Sequence, residues 1–307
     1  MKSIMYSSSS SLYSVKPLSQ ADIGDWFKFG VDNAKNREIV LEEISNPLRW
    51  RRFLVYDRGQ VLGRFSFEYL EHGLSLLVPK FEDSLEKEKV IKLFDTVGDY
   101  TSNLIKCNTF PFAECMIRDG FVYAEEWACS LGRYGFRIIS RKYEWVFTKI
   151  DSLTSVNFTK DHGATTNITK ELTPEIERAY IRTASDSLDQ SLSIEMMHGP
   201  DIGDFDFLIT QTNEKNEIIG LCICECDKTT GKDWIKYIGV NSDMRRQNYA
   251  LEMICKAINN LKTLGSKKIY SLIDQQNVPS IMLHERLGFV RTGESFVTLY
   301  NDSHVKN

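Results

Sequence analysis

The sequence has no long apolar run, and this absence excludes a membrane-spanning helix from its interpretation. A span needs roughly 20 consecutive apolar residues, and no stretch of the 307 residues approaches that length. The N-terminal run MKSIMYSSSSSLYS also lacks the apolar centre of a secretory signal. We therefore expect a cytoplasmic protein without a membrane partner.

Charge of one sign is not in excess either. The 38 Lys and Arg residues stand against 42 Asp and Glu residues, which gives a formal net charge of −4. The two signs are close to balance in each half of the chain. Binding to a polyanion needs an excess of basic residues, so no nucleic-acid partner is expected.

Paired cysteines are missing as well. The seven cysteines form no CxxC motif, which argues against a disulfide framework and against a zinc site. Cys222, Cys224 and Cys226 alternate along LCICECD, so they share one face of a strand and are interpreted as small apolar fillers. No metal is expected.

The length of the chain predicts two domains, at roughly 150 residues per domain. Residues 151–168 are polar and lack helical periodicity, so the boundary is set between a domain at 1–150 and a domain at 151–307. Both halves run in outline through a helix, a hairpin, an apolar strand, a helix and a Gly-Phe pair. This shared order indicates a diverged internal duplication.

Local patterns predict the elements of each half. In the first half, a helix is predicted over about residues 20–32, RRFLVYD and QVLGRFSFEY form a hairpin around residues 57–59, and a long helix covers about residues 84–103. The second half is predicted as a helix, three meandering strands, a helix over residues 250–265, a strand, a helix over residues 278–288 and a strand. Both halves therefore combine helices with strands, which is typical of an α/β fold.

The stretch YIGVNSDMRRQNYALEMICKAI carries the clearest chemical signal. A strand ends at Val240, a polar loop with Arg245 and Arg246 follows, and a helix begins near Ala250. The unpaired N–H groups and the dipole of a helix N-terminus attract phosphate, and arginine adds charge-assisted hydrogen bonds. The loop is therefore a candidate phosphate or pyrophosphate site, although a solvated basic turn shows the same pattern.

This stretch resembles the acyl-CoA loop of the GNAT superfamily of N-acyltransferases. The family pattern is a Val, four residues, an Arg or Gln, two residues, a Gly, one residue and a Gly or Ala. Val240, Arg245, Asn248 and Ala250 occupy these positions in order. Asn248 replaces the usual glycine, and because Asn tolerates positive φ better than other non-glycine residues, the loop geometry is expected to survive.

A second pattern of the same family follows in NVPSIMLHERLGF. Its Asn, small residue, Leu, Gly and Phe are matched in order by Asn277, Ser280, Leu283, Gly288 and Phe289. The resemblance covers about residues 165–302. It implies an α/β fold of two GNAT-like units, each a mixed, mostly antiparallel sheet flanked by helices.

The resemblance also implies where acetyl-CoA, the expected acyl donor, would bind. Backbone groups of Ile238, Gly239 and Val240 would hold the pantetheine arm like an added strand, and Asn277 and Ser280 would face its thiol end. The pyrophosphate would lie on the backbone amides of one loop, made of Arg245, Arg246, Gln247, Asn248, Tyr249 and Ala250.

His284 stands where the family usually has the tyrosine that protonates the departing thiolate. A histidine is able to act as an acid or as a base near neutral pH. The alternative is that His284 packs beside the thioester and that no side chain donates the proton. Both interpretations stay open at this stage.

Acidic residues are candidates for the remaining roles. The attacking amine must lose a proton, and Glu225 and Asp233, which flank the turn before one strand, are candidate bases by position. Charges on a solvated turn explain the same two residues more simply. Asp186, Asp189 and Gln190 follow a helix where the family places substrate contacts, and they are candidates for holding a cationic amine.

The first half lacks the corresponding loop. Val78 and Pro79 resemble the strand end, but no Arg, Gly or Ala pattern follows, and carboxylates occupy the next turn. Carboxylates at a helix N-terminus repel a pyrophosphate. This half is therefore interpreted as a degenerate GNAT-like domain without an acyl-CoA site.

The leading hypothesis is an N-acetyltransferase that moves an acetyl group from acetyl-CoA to a primary amine of a small molecule or peptide by direct attack. One alternative is an acyltransferase that uses aminoacyl-tRNA, against which the balanced charge argues. A second alternative is a CoA-binding pseudoenzyme, suggested by Asn248 and His284. A monomer or a homodimer is expected.

Overall fold

The computed structural model of the chain divides into two compact units. The first unit contains Met1–Ile139 and Phe296–Asn307, and the second contains Ser140–Ser295. Each unit combines a mixed sheet with helices, so the predicted α/β class is confirmed. The structure describes residues 13–45, 50–70, 73–107, 110–149, 164–187, 202–227 and 231–302.

The first unit contains the predicted hairpin and long helix. Strands β2 and β3 form the hairpin, and Arg58 and Gly59 in its turn both take positive φ. The strands are β1 (Ser14–Pro17), β2 (Trp50–Asp57), β3 (Gln60–Tyr69), β4 (Leu74–Leu76), β5 (Lys80–Phe81) and β6 (Phe112–Arg118). The helices are α1 (Ile23–Phe27), α2 (Ala34–Ser45), α3 (Lys87–Lys106) and α4 (Ala124–Arg133).

The second unit follows the predicted order of helices and strands. Its strands are most of β7 (Arg137–Phe147), all of β8 (Thr165–Thr169), β9 (Phe207–Thr212), β10 (Ile218–Asp227), β11 (Lys232–Val240) and β12 (Ile269–Asp274), and the first residues of β13 (Val290–Asp302). Its helices are α5 (Pro174–Ser185), α6 (Tyr249–Thr263) and α7 (Val278–Leu287). Thr173 caps α5 by accepting a hydrogen bond from the N–H of Ile176, as the sequence Thr-Pro-Glu predicts.

The two sheets have the same plan. The strand order is β1-β2-β3-β4-β6-β13 in the first unit and β8-β9-β10-β11-β12-β7 in the second. Neighbouring strands along both paths are antiparallel except for one parallel pair in each sheet, β4 with β6 and β11 with β12. This repeated plan agrees with an internal duplication.

The last strand of each sheet comes from an unexpected part of the chain. Residues 140–147 of β7 belong to the second unit, where they pair with β12, and residues 296–302 of β13 belong to the first, where they pair with β6. The compact units therefore differ from the expected boundary at residue 150. The physical reason is that β6 and β12, which each pair with one strand of their own half, need a second strand to satisfy the backbone hydrogen bonds of their other edge.

Apolar burial holds α6 against the second sheet. The buried face of α6 carries Met253, Ile254, Ala257, Ile258 and Leu261, all 0% exposed. Burying one such large side chain stabilises the fold by roughly 1.5–3 kcal/mol. Cys222 and Cys224 lie in the same cluster as free thiols, which confirms their interpretation as apolar fillers.

Candidate functional site

The parallel pair of the second sheet separates soon after it starts. Within residues 231–302, all of which the structure describes, β11 pairs with β12 at only two positions, the second being Trp234 with Tyr270. Lys236 then forms a bulge in the pairing of β11 with β10. Because a bulge bends its strand and increases the local twist, β11 leaves β12 and a cleft opens toward Val240.

The loop after Val240 has two residues with positive φ. Arg246 has φ 65° and Asn248 has φ 68°, which confirms the left-handed geometry expected at Asn248. Asn248 is also the N-cap of α6, and its side chain makes no capping hydrogen bond among the described residues. Such a backbone points N–H groups into a concave site at a helix N-terminus, where anions bind. The loop therefore fits a phosphate group.

Arg245 braces this loop. Its Nε donates to the carbonyl oxygen of Val240 at 3.1 Å, and its Nη2 donates to the carbonyl oxygen of Asp186 at 3.1 Å. The sequence pattern suggested a guanidinium free to meet phosphate, whereas these two donors are already engaged with the protein. The Arg246 and Gln247 side chains are exposed.

His284 is buried inside the second unit, with 2% of its surface exposed. Its Nδ1 lies 2.8 Å from the carbonyl oxygen of Ser280, its Nε2 lies 3.2 Å from Oγ of Ser271, and its ring meets Phe289 edge-on. Burial lowers the pKa of His284 from 6.5 to about 4. The imidazole is therefore neutral at pH 7 and holds no extra proton for a departing thiolate.

The structure brings several predicted site residues together around one small cavity. Ile238, Asn277, Ser280 and His284 all line a cavity of about 60 Å³. Asn277 also caps α7, because its Oδ1 accepts a hydrogen bond from the backbone N–H of Ser280 at 3.3 Å. Asn277, Ser280 and His284 of the closing sequence pattern therefore meet at the cavity, whereas Leu283 of the same pattern is not among its lining residues.

Ser271 lines the same cavity and was missed by the sequence analysis. It is 2% exposed and follows directly after the last residue of β12 that pairs with β11. A signal was present in the sequence. Ile269, Ser271 and Ile273 alternate along β12, so a polar residue interrupts an otherwise apolar face.

Two further polar residues of the cavity form hydrogen bonds with other residues of the protein. Asp274, 2% exposed, accepts hydrogen bonds from the Ser140 hydroxyl and, at 2.7 Å, from the backbone N–H of Gln276. Tyr237 donates its hydroxyl to Oγ1 of Thr183 at 2.7 Å, and burial raises its pKa. Tyr237 therefore stays protonated, with its proton directed at Thr183.

The structure does not bring the two candidate bases to this cavity. Asp233 lies in the paired part of β11, before the cleft opens, and Glu225 lies opposite Trp234 in the register of β10 with β11. Glu225 forms an ion pair with Lys236 at 3.1 Å. Neither carboxylate is among the described residues that line the cavity. The two residues were predicted because they flank the turn before β11, and the sequence does not show that the cleft opens only after Trp234.

Asp186 borders a second and larger cavity. This cavity, of about 490 Å³, lies between α5, the turn after β9 and the loop after β11. Its lining includes four carboxylates and two guanidiniums, those of Glu175, Asp186, Glu217, Asp243, Arg178 and Arg182. The excess of carboxylates favours a cationic group. The other two predicted substrate residues, Asp189 and Gln190, lie outside the described residues.

Helix α4 of the first unit ends in the same way as α7. Gly135 has φ 90° and Gly288 has φ 92°. The residue after each glycine donates its N–H to the carbonyl oxygen four positions before the glycine, which is Leu131 in one unit and His284 in the other. Leu131 is 0% exposed. The first unit therefore has a buried leucine where the second has its histidine.

Cys115 of the first unit corresponds to Ser271. Each lies two positions after the first residue that β6 or β12 contributes to its parallel pair. Cys115 is 0% exposed, and burial raises the pKa of its thiol to about 12. Cys115 and Leu131 pack in one apolar cluster with Trp127. The first unit thus builds an apolar core where the second places hydroxyl and imidazole.

The described ranges lack two other kinds of feature. None of their helices is long and apolar enough to span a bilayer. They also hold no group of three His, Cys, Asp or Glu side chains arranged to bind a metal ion.

The second half of the chain is similar to a known family of acetyltransferases. Residues 147–290 match the family model described as an acetyltransferase (GNAT) domain. The match lies within the second unit, and the family model does not cover the first unit, which has the same plan of strands.

Solved structures with the same fold match nearly the whole chain. A GCN5-related N-acetyltransferase from Sphaerobacter thermophilus is 14% identical, with a TM-score of 0.58, and the match covers 95% of this chain and 96% of that one. A tandem GNAT protein from the clavulanic acid biosynthesis pathway is 10% identical, with a TM-score of 0.60 and coverage of 96% and 100%. These likenesses show the tandem fold. Comparison with curated proteins gives no match.

A fungal enzyme contains a third similar structure. It is a glucosamine N-acetyltransferase region of a multi-domain β-N-acetylglucosaminidase, 11% identical, with a TM-score of 0.63. The match covers 94% of this chain and 38% of that one.

Proposed function

We propose that the chain is an N-acetyltransferase that moves an acetyl group from acetyl-CoA to a primary amine of a small molecule or peptide by direct attack. The observation that carries the proposal is the cleft between β11 and β12. It opens beside the uncapped N-terminus of α6, and residues of both strands and of α7 line the small polar cavity. An acyl donor with a phosphate-bearing tail matches these features.

The donor residues of the proposal are those of β11 and the loop after it. Ile238, Gly239 and Val240 pair with β10 but lie beyond the last pair of β11 with β12, so an extended arm would add as a strand along that second edge of β11. The left-handed residues Arg246 and Asn248 would present amides to the pyrophosphate. A cavity of about 60 Å³ has room for a short acyl group such as acetyl.

The acceptor of the proposal is a primary amine. The larger cavity bordered by Asp186 carries more carboxylates than guanidiniums, which supports a cationic ligand. The glucosamine N-acetyltransferase region among the similar structures makes an amino sugar a reasonable member of the first panel of amines.

The first unit has a different role in the proposal. Its counterpart of the polar cavity is filled by Leu131 and Trp127, and Glu82, Asp83 and Glu86 are exposed where a phosphate loop would be needed. We propose that this unit binds no acyl-CoA.

The proposal is tested by titrating the full chain with acetyl-CoA in a calorimeter and then assaying thiol release with glucosamine, spermidine and a lysine-containing peptide. We expect one donor site per chain and thiol release with at least one amine. Two donor sites would contradict the role given to the first unit. Donor binding without thiol release would favour a CoA-binding protein without turnover, and absence of donor binding would refute the proposal.

Substitution of Asn248 tests the loop. Glycine reaches φ 68° without strain, so Asn248→Gly is expected to bind acetyl-CoA as well as wild type or more tightly. A β-branched residue resists this conformation, so Asn248→Val is expected to weaken binding by ~1 kcal/mol or more. Calorimetric titration of the three proteins measures the difference.

Arg58 provides the matched control for Asn248. It has φ 48° in the hairpin turn of the first unit, so Arg58→Val introduces similar backbone strain away from the loop. Its acetyl-CoA affinity should equal that of wild type. Equal affinity across the three Asn248 proteins would mean that the loop does not hold the donor.

A further inference from the structure

Two of the three polar contacts of the His284 ring fix its tautomer, and the third, between Nδ1 and Oγ of Ser280, is longer at 3.5 Å. The carbonyl oxygen of Ser280, 2.8 Å from Nδ1, is only able to accept a hydrogen bond, so Nδ1 must carry the ring proton. Nε2 of the neutral ring is then an acceptor. The Ser271 hydroxyl, 3.2 Å away, therefore donates its proton to Nε2.

This arrangement leaves the oxygen of Ser271 with unused acceptor capacity. A hydroxyl has two lone pairs besides its proton, and Ser271 lines the cavity at the point where β12 separates from β11. Oγ of Ser271 is thus an acceptor inside the cleft. An amine that enters the cleft brings the N–H groups to match it.

The first unit shows that the fold does not need this polar pair. Cys115 and Leu131 fill the corresponding positions and are fully buried in an apolar cluster. Burying imidazole and hydroxyl groups costs more free energy than burying apolar side chains of similar size. A polar pair kept in the second unit alone points to a role beyond packing.

We propose that Ser271 is a catalytic residue whose hydroxyl oxygen takes the proton of the attacking amine while its own proton passes to Nε2 of His284. This inference rests on the proposed acetyl transfer. His284 acts through Ser271, as the residue that positions the hydroxyl and holds the proton.

The proton transfers balance over the reaction. The amine reacts in its neutral form, after the additional proton of its ammonium form has been released to solvent. As the amine nitrogen bonds to the thioester carbon, one N–H bond breaks, a new bond forms between that proton and Oγ of Ser271, and the former Ser271 proton bonds to Nε2 of His284. When the C–S bond breaks, the same transfers run in reverse and place the proton on the departing sulfur. The products are the amide and the free thiol, and Ser271 and His284 return to their starting state.

The burial of His284 suits the second half of this sequence. A ring whose pKa is about 4 is a weak base, but its protonated form is a strong acid. The proton is therefore held briefly and returned readily to the thiolate. In this sequence His284 is neutral before the reaction and receives its proton from Ser271. Burial disfavours the alternative, in which the ring is already protonated before the reaction.

Kinetics of Ser271 variants in the full chain test the proposal. With acetyl-CoA and the most reactive amine of the panel, Ser271→Ala is expected to lower kcat about 100-fold, the lower end for lost proton transfer, with little change in acetyl-CoA affinity. Ser271→Thr keeps the hydroxyl and should retain kcat within about tenfold. Thr210→Val, which removes a buried hydroxyl from β9, is the control and should behave as wild type.

A double variant separates catalysis from packing. Because Ser271 and His284 act as one unit, Ser271→Ala combined with His284→Leu should be no slower than the slower single variant. Multiplied losses would overturn the proposal, and so would a Ser271→Ala kcat within about threefold of wild type. If wild type binds acetyl-CoA but releases no thiol with any amine, the proposed function fails first and this inference with it.

Nitrogen NMR of the imidazole gives a readout that needs no turnover. Wild type at pH 7 should show a proton on Nδ1 of His284 and an unprotonated, hydrogen-bonded Nε2, with the Nε2 shift altered in Ser271→Ala. A proton on Nε2 would overturn the proposal even if the alanine variant failed to fold.

Discussion

Between pH 7 and pH 5, the unfolding free energy of wild type is expected to fall by about 2 kcal/mol more than that of the His284→Leu variant. The unfolded histidine takes up a proton near pH 6.5, whereas the buried ring does so only near pH 4. Unfolding therefore takes up a proton in this window, and stability falls as the pH drops through it. Below about pH 4 both states are protonated and the effect levels off.

The measurement is urea unfolding of wild type and His284→Leu at the two pH values. Leucine is chosen because Leu131 fills the corresponding place in the first unit. Carboxylates contribute to the pH dependence of both proteins. Only the change with pH in the difference between the two unfolding free energies therefore reports on His284. The reciprocal variant Leu131→His should add an acid sensitivity of the same sign. An unchanged difference would show that His284 is not buried in its neutral form.

Replacing Gly239 with alanine is expected to damage both stability and donor binding. A Cβ at this position would overlap the Tyr237 hydroxyl oxygen and come within 2.7 Å of its Cζ and 2.9 Å of Cβ of Thr183. Tyr237 is tied to Thr183 by a hydrogen bond and packs edge-on against Tyr180, so it has little room to move. Overpacking of this kind costs about 1–3 kcal/mol.

The donor site should suffer as well, because Gly239 lies on the stretch of β11 proposed to bind the pantetheine arm. We expect at least about tenfold weaker binding of acetyl-CoA, or ~1.4 kcal/mol, by calorimetry. Gly132→Ala is the control, since a Cβ there meets nothing within 4 Å and the site is exposed in α4. It should stabilise by up to about 1 kcal/mol and leave donor binding unchanged. A Gly239→Ala protein as stable and as tight as wild type would contradict this packing.

Local sequence signals predicted most helices and strands of the second unit. The helix expected at residues 250–265 is Tyr249–Thr263, and the one expected at 278–288 is Val278–Leu287. Helical periodicity, the Thr-Pro start and the Gly stop are local, so a single sequence reveals them. The helix expected over residues 20–32 ends earlier, at Phe27. Gly30 lies in the part that is not helical, and a Cβ at this position would clash with the Arg64 side chain.

Which distant strands pair with each other could not be predicted from local sequence signals. Nothing local states that residues 296–302 pair with β6 or that 140–147 pair with β12. The same limit explains the outcome at the site. Asn248 was predicted from its own conformational preference, whereas the contact of Ser271 with His284 depends on how β12 lies beneath α7.

The exchange of final strands has a consequence for synthesis of the protein on the ribosome. Chains are made from the N-terminus, and domains commonly fold as they emerge. Here the first unit cannot complete its sheet until residues 296–302 have been translated, after every residue of the second unit. During that interval β6 has no β13 beside it, and an open strand edge is prone to pair with other chains. The first half of the sequence is thus the last to finish folding and the one most exposed to aggregation when translation is slow.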